Sequence, residues 1–194
     1  DHRDLHSFPT RRSSDLNVYV DSGVKFLREQ NILDGYLKLK DVVLIDLATH
    51  NKMKNSKVKK GDVLLNMTGA SIGRSCEIAD DDEFNINQHV SLIRPKNNLS
   101  SKFLNYFFMS HMGKEQTKFY MESAGKEALS AEKIKNYFIP NISLKSQLKI
   151  ANKIEQKLNL IDLLLEKENN KRKKIDKLIE NYTMNFLTGK NILN

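Results

Sequence analysis

Few side chains in this sequence are grouped as catalysis requires. His50, His89 and His111 lie far apart, and none belongs to an H-E-x-x-H pair. Cys76 is the one cysteine, which excludes an intrachain disulfide and a cysteine zinc cluster. Gly69-x-x-x-Gly73-Arg74 lacks the Gly-Lys-Ser/Thr ending of a phosphate loop, and the chain has no G-x-G-x-x-G. Asp80 to Glu83 could attract a cation, but four adjacent acids in a turn are ordinarily solvated. No methyltransferase-type catalytic tetrapeptide is present. We therefore expect no catalytic residue, no metal site and no cofactor.

The remaining polar groups suit binding. Lys52, Lys54, Lys57, Lys59 and Lys60 offer ammonium groups to phosphates, or they form a solvated loop. The small-residue loop Gly69 to Ser75 permits close backbone approach. It carries Ser71 and Arg74 as hydrogen-bonding tips, and an arginine there could read guanine bidentately. The bland reading is a tight strand connection with Arg74 as an exposed charge. Lys126, in the hinge-like run Ser123-Ala124-Gly125-Lys126, is a further candidate. Asn85, Asn87, Gln88 and His89 form an amide-rich group that either pairs with adenine or satisfies buried backbone groups.

These groups must be positioned by a mixed domain. Val24 to Arg28 reads as a strand, and Asp34-Gly35 as a turn. Residues 41–48 could be strand or short helix. Gly61-Asp62 turns into an apolar strand, Val63 to Met67; another follows around Cys76 to Ala79. Ile86 to Arg94 alternates as one strand, closed by Pro95. From Ser100 onward, Phe103, Leu104, Phe107, Phe108 and Met112 mark a helix face. Ser130 caps a short helix through Ile134, and Tyr137 to Pro140 reads as a terminal strand or extended exit.

The last fifty or so residues carry the strongest periodicity. Leu144, Leu148, Ala151, Ile154, Leu158, Ile161 and Leu165 recur at steps of four and three, and the pattern resumes at Ile175, Ile179, Tyr182 and Phe186. This heptad seam predicts a coiled-coil helix that needs a partner surface. Two seam slots in the interruption are charged, Glu168 and Arg172.

Net charge is +8, with a pI near 9.4. A basic balance suits nucleic acid, but abundant Lys, Asn and Ile also fit the coding bias of an AT-rich genome. Residues 17–142 hold 18 Lys and Arg against 15 Asp and Glu, whereas 143–194 hold 11 against 6. The run Lys171-Arg172-Lys173-Lys174 accounts for much of the second excess; it is either a solvated helix surface or a phosphate contact. No apolar run approaches the ~18 residues of a membrane helix, no signal peptide is evident, and the expected compartment is the cytoplasm. Residues 1–16 stand apart: Ser7 to Leu16 resembles the translation of a sequencing-adapter oligonucleotide. We expect these residues to be a disordered artefact that replaces the first segment of the domain.

Together these segments resemble one half of the specificity subunit of a type I restriction-modification system. The resemblance rests on Ser22-Gly23-Val24-Lys25-Phe26-Leu27-Arg28 with Asn31-Ile32, and on Lys60-Gly61-Asp62-Val63-Leu64-Leu65 with Thr68-Gly69-Ala70-Ser71-Ile72-Gly73. It continues through Asn87-Gln88-His89-Val90, Ile139-Pro140, Gln147-Leu148-Lys149-Ile150-Ala151 and Phe186-Leu187-Thr188-Gly189-Lys190. It implies an α+β target recognition domain over 17–142, a conserved-region spacer helix over 143–190 and a tail at 191–194. The implied partners are double-stranded DNA, methyltransferase (modification) subunits and, through them, the restriction subunit. A second half-unit or a second copy would pair antiparallel with the helix, which acts as a ruler between two half-sites. The family's subunit has no catalytic residues. An adaptor that dimerises through the helix and binds a protein instead of DNA is the alternative.

Overall fold

The computed structural model describes residues 19–122 and 128–188. The adapter-like residues 1–16, the candidate Lys126 and the tail 191–194 lie outside the described residues. The chain divides into two units, 1–148 and 149–194.

In chain order the elements are β1 (Tyr19–Val20), β2 (Val24–Leu27), β3 (Val43–Ile45), α1 (Leu47–Lys52), β4 (Lys57–Val58), β5 (Val63–Asn66), β6 (Ser75–Glu77), β7 (Phe84–Ile86), β8 (Val90–Ile93), α2 (Ser101–Met109), α3 (His111–Glu122), α4 (Ala131–Lys135) and α5 (Leu144–Leu187). The expected mixed domain followed by a long helix is present. A five-stranded sheet has the order β1-β3-β2-β7-β4, and a three-stranded sheet the order β6-β5-β8. The β2–β7 pair is parallel, with Phe26 opposite Asn85. The other strand pairs are antiparallel.

Strand β5 explains why Val63-Leu64-Leu65 is apolar without alternation. Leu64 packs with Leu27, Ile32, Val58, Cys76, Ile78, Phe84, Ile86 and Val90. Val63 and Leu65 point the other way, into Leu104, Phe107, Phe108, Leu129, Ile134 and Tyr137. A strand buried on both faces gains from apolar side chains at every position.

The structure resolves one open sequence reading and corrects two. Residues 41–48 are both strand and helix: β3 ends at Ile45, and Asp46 caps α1 by accepting the Thr49 backbone N–H at 2.8 Å. That bond holds the Asp46 carboxyl below its ordinary pKa. Residues 86–94 are not one strand. The Asn87 side chain accepts the His89 backbone N–H at 3.1 Å, and this turn sends β7 and β8 into different sheets. The helix through Met112 breaks at Ser110, whose Oγ donates to Phe107 O at 2.6 Å and accepts from Gly113 N at 3.3 Å. Gly113 permits the sharp turn between α2 and α3, since a Cβ there would lie 2.2 Å from Phe107 O.

Helix α5 contains no glycine or proline across its 44 residues. Ser143 Oγ accepts the Ser146 N–H at 3.2 Å at its start. Ala151 is buried and Ile154 half-buried. The apolar seam residues Leu158, Ile161, Leu165, Ile175, Ile179, Tyr182 and Phe186 are 40–75% exposed. Leu160, Leu163, Leu164 and Leu178 add exposed apolar area beyond the seam. Among the described residues, no helix is long and apolar enough to cross a membrane.

Candidate functional site

The loop after β5 and the turn after β2 form the walls of a shallow cleft in the first unit. Its lining is Glu29, Gln30, Thr68, Gly69, Ala70, Ser71, Arg74 and His89. Asn66 holds both walls. It is fully buried, and its Nδ2 donates to Glu29 O at 2.9 Å and to Ser71 Oγ at 3.0 Å. The loop closes back on the strand: Gly73 N donates to Asn66 O at 3.0 Å, and Asn66 N donates to Arg74 O at 2.9 Å. Gly73 sits at φ 80°, a conformation open to glycine at little cost.

The β7–β8 turn completes the floor. Asn87 Nδ2 donates to Glu29 Oε2 at 2.9 Å. Thr68 Oγ1 and His89 Nδ1 lie 2.9 Å apart, and Gln88 Nε2 lies 3.3 Å from His89 Nε2. Arg74 is exposed, and neither an ion pair nor a ring contact engages its guanidinium among the described residues. The cleft therefore offers a guanidinium, a carboxylate, an imidazole, an amide and hydroxyls within one small surface. That set suits recognition of a polar ligand edge. Among the described residues, no group of three His, Cys, Asp or Glu is placed to hold a metal ion.

Of the sequence candidates, Ser71 and Arg74 share this cleft. The lysines do not line it. They are distributed along α1, a 3-10 turn at Lys54–Ser56, β4 and the turn that follows, so the polar stretch is built structure and not a loop. Lys57 donates to Asn51 Oδ1 at 3.0 Å, and Lys60 pairs with Asp81 at 3.2 Å. Lys52, Lys54 and Lys59 are exposed. Asn85 is structural: fully buried, it donates to Met53 O and Ser56 Oγ, and its Oδ1 lies 2.5 Å from His50 Nδ1.

Sequence reasoning missed Glu29, Gln30, Thr68 and the positioning residue Asn66. For Glu29 and Gln30 the one local signal is the polar run Arg28-Glu29-Gln30-Asn31 directly after an apolar strand; for Asn66 and Thr68 it is their place at the end of the apolar run Val63-Leu64-Leu65. Their convergence on the 69–74 loop depends on pairing across the fold.

Comparison with known proteins agrees with this architecture. A curated relative, the type I restriction enzyme EcoBI specificity subunit of Escherichia coli, is 25% identical over 171 residues; these make up 88% of this chain and 36% of the relative. Among solved structures, a chain from a study of complex assembly and conformational transition of the type I R-M system superposes with a TM-score of 0.65 at 18% identity. That match covers 86% of this chain and 39% of the other. The HsdS subunit from Thermoanaerobacter tengcongensis superposes with a TM-score of 0.51 at 18% identity, over 75% of this chain and 32% of that one. The chain thus spans between about a third and two fifths of the length of these relatives. The family profile described as type I restriction modification DNA specificity domain matches residues 40–177, running from the domain into the long helix. On this match the chain belongs to the type I restriction-modification DNA specificity domain family.

Proposed function

We propose that this chain works as one half-unit of a type I specificity subunit, without catalysis or cofactor of its own. The domain over 17–142 binds one half of a split double-stranded DNA target. The helix over 143–190 pairs antiparallel with the helix of a second half-unit or a second copy. The pair sets the distance between half-sites and presents modification subunits, and through them the restriction subunit, to DNA.

The observation that carries this reading is the family match, which runs from residue 40 through the loop that bears Ser71 and Arg74 and on through most of the helix with the exposed seam. At 1.5 Å per residue a helix of this length spans about 66 Å, enough to separate two recognition domains along a duplex. Phosphate contacts fall to Lys52, Lys54 and Lys59, with Lys57, Lys60 and Lys126 as further candidates. Ser71 and Arg74 serve base contacts.

Titrating salt against binding to a random duplex tests the reading. A DNA-binding domain loses affinity steeply as salt rises, because each phosphate contact releases condensed counterions. Negligible affinity at low salt would favour the adaptor that dimerises through its helix and binds protein.

A further inference from the structure

We propose that Glu29 reads cytosine, by accepting a hydrogen bond from the exocyclic N4 amine in the major groove. This rests on the DNA-recognition reading above and assigns a base to one wall of the cleft. Glu29 and Arg74 line the same cleft with opposite charges, yet no ion pair joins them. Among the described residues, neither charge is neutralised by an ion pair. The carboxylate is also oriented: Oε2 is held by Asn87 Nδ2 at 2.9 Å, and the Glu29 carbonyl is held by Asn66. Oε1 makes no hydrogen bond among the described residues.

A carboxylate can only accept, so it repels a phosphate and needs a donor. The exposed cations Lys52, Lys54 and Lys59 lie outside the cleft, which separates phosphate contact from base contact within the fold. In the major groove, cytosine presents one donor at N4. Adenine presents a donor beside the N7 acceptor, which would oppose a second carboxylate lone pair. Cytosine is therefore the better match, and Arg74 on the opposite wall suits a guanine edge nearby.

The test is selection from a randomised duplex pool with the full chain and with Glu29→Ala and Glu29→Gln variants. Wild type is expected to fix a cytosine at one position. Glu29→Ala should randomise that position and weaken binding of the selected duplex about 5- to 150-fold, with no loss on random duplex. Glu29→Gln keeps an oxygen for Asn87 and serves if the alanine variant does not fold. It should move the preference from cytosine to adenine, whose donor–acceptor pair fits an amide. If wild type fixes positions that both folded variants leave unchanged, Glu29 reads nothing and this inference alone falls. A uniform gain in affinity on all duplexes would place the carboxylate against phosphate and also overturn it. If wild type fixes no position, base reading fails as a whole, and the inference falls with it.

Discussion

Gln147 Oε1 accepts the backbone N–H of Ser100 at 2.8 Å, tying the first turns of the long helix to the start of α2. Its Nε2 donates to Asn98 O at 3.1 Å and to Ile142 O at 2.9 Å, so one side chain satisfies three backbone groups of two segments. Gln147 is only 4% exposed, and these groups have little water to fall back on. Gln147→Ala should destabilise the domain by roughly 1–3 kcal/mol, the usual cost of stranding buried polar groups. An unchanged midpoint in urea unfolding would show that water replaces the amide.

Arg94 holds Asp62 through two bonds, Nε to Oδ1 at 2.7 Å and an Nη to Oδ2 at 2.8 Å. Asp62 is 1% exposed and also accepts the Lys59 N–H at 2.7 Å. The pair raises the Arg94 pKa further above its ordinary value, chiefly through the hydrogen bond to Asp62. Arg94→Leu leaves a buried carboxylate without its guanidinium and should cost about 1.5–3 kcal/mol. Thermal melts of the variant beside Asp62→Asn and the double variant measure the coupling; additive losses would refute it.

Burial pushes the Cys76 thiol up to about 12 from 9.0. Near pH 8 only about one in ten thousand folded molecules carries the thiolate, so native labelling by thiol reagents should track unfolding. The unfolded chain releases this proton first. Between pH 9 and 12 the folded state holds more protons, so stability is complete below about 9 and declines as pH rises. Tyr137, raised mainly by burial, acts in the same direction. Denaturation midpoints of Cys76→Ala should fall less steeply over that range; rapid native labelling of wild type would contradict the burial argument.

Arg74→Ala should weaken binding to a selected target by roughly 1–3 kcal/mol if the guanidinium reads a base. Equal loss on every sequence would make it a phosphate contact, and no loss would remove it from the interface. By contrast, alanine at Lys52, Lys54 and Lys59 should weaken all duplexes alike. Each of these lysines that neutralises a phosphate should, once replaced, flatten the salt dependence by about 0.9 in log–log slope.

Glu168 and Arg172 lie nearly midway between Ala151 and Phe186. In an antiparallel pair of helices centred near Asn170, Glu168 of each would face Arg172 of the other. They would set register at some cost in stability. Replacing both with leucine should raise dimer affinity in sedimentation while cysteine cross-links along the seam report several registers. A single register in that variant defeats the idea.

Local patterns carried much of the fold. The seam required only the apolar residues and their period, because a long helix without glycine or proline is governed by neighbours three and four apart. The Gly61-Asp62 turn into β5 was legible because glycine readily takes the positive φ such a turn needs, 83° at Gly61. The split between β7 and β8 was not. Ile86 to Arg94 alternates as one strand, and only the Asn87–His89 bond, with each half's separate pairing, divides it. The lysine stretch also read as a loop, because its 3-10 turn and two-residue strand are too short to leave a period.

The same boundary divides the candidate site. Sequence alone determined the long helix with its apolar seam, and it placed Ser71 and Arg74 on a tight glycine loop. Tertiary structure decided their company. Glu29 lies 45 positions before Arg74 in the chain. Asn66 joins their two segments from the buried strand between them, and Asn87 reaches Glu29 from a turn 58 positions away. A hydrogen bond acts over about 3 Å in space, whatever the separation along the chain. Periodicity reports which face a residue occupies. Which faces meet is set by strand order and the packing of the core.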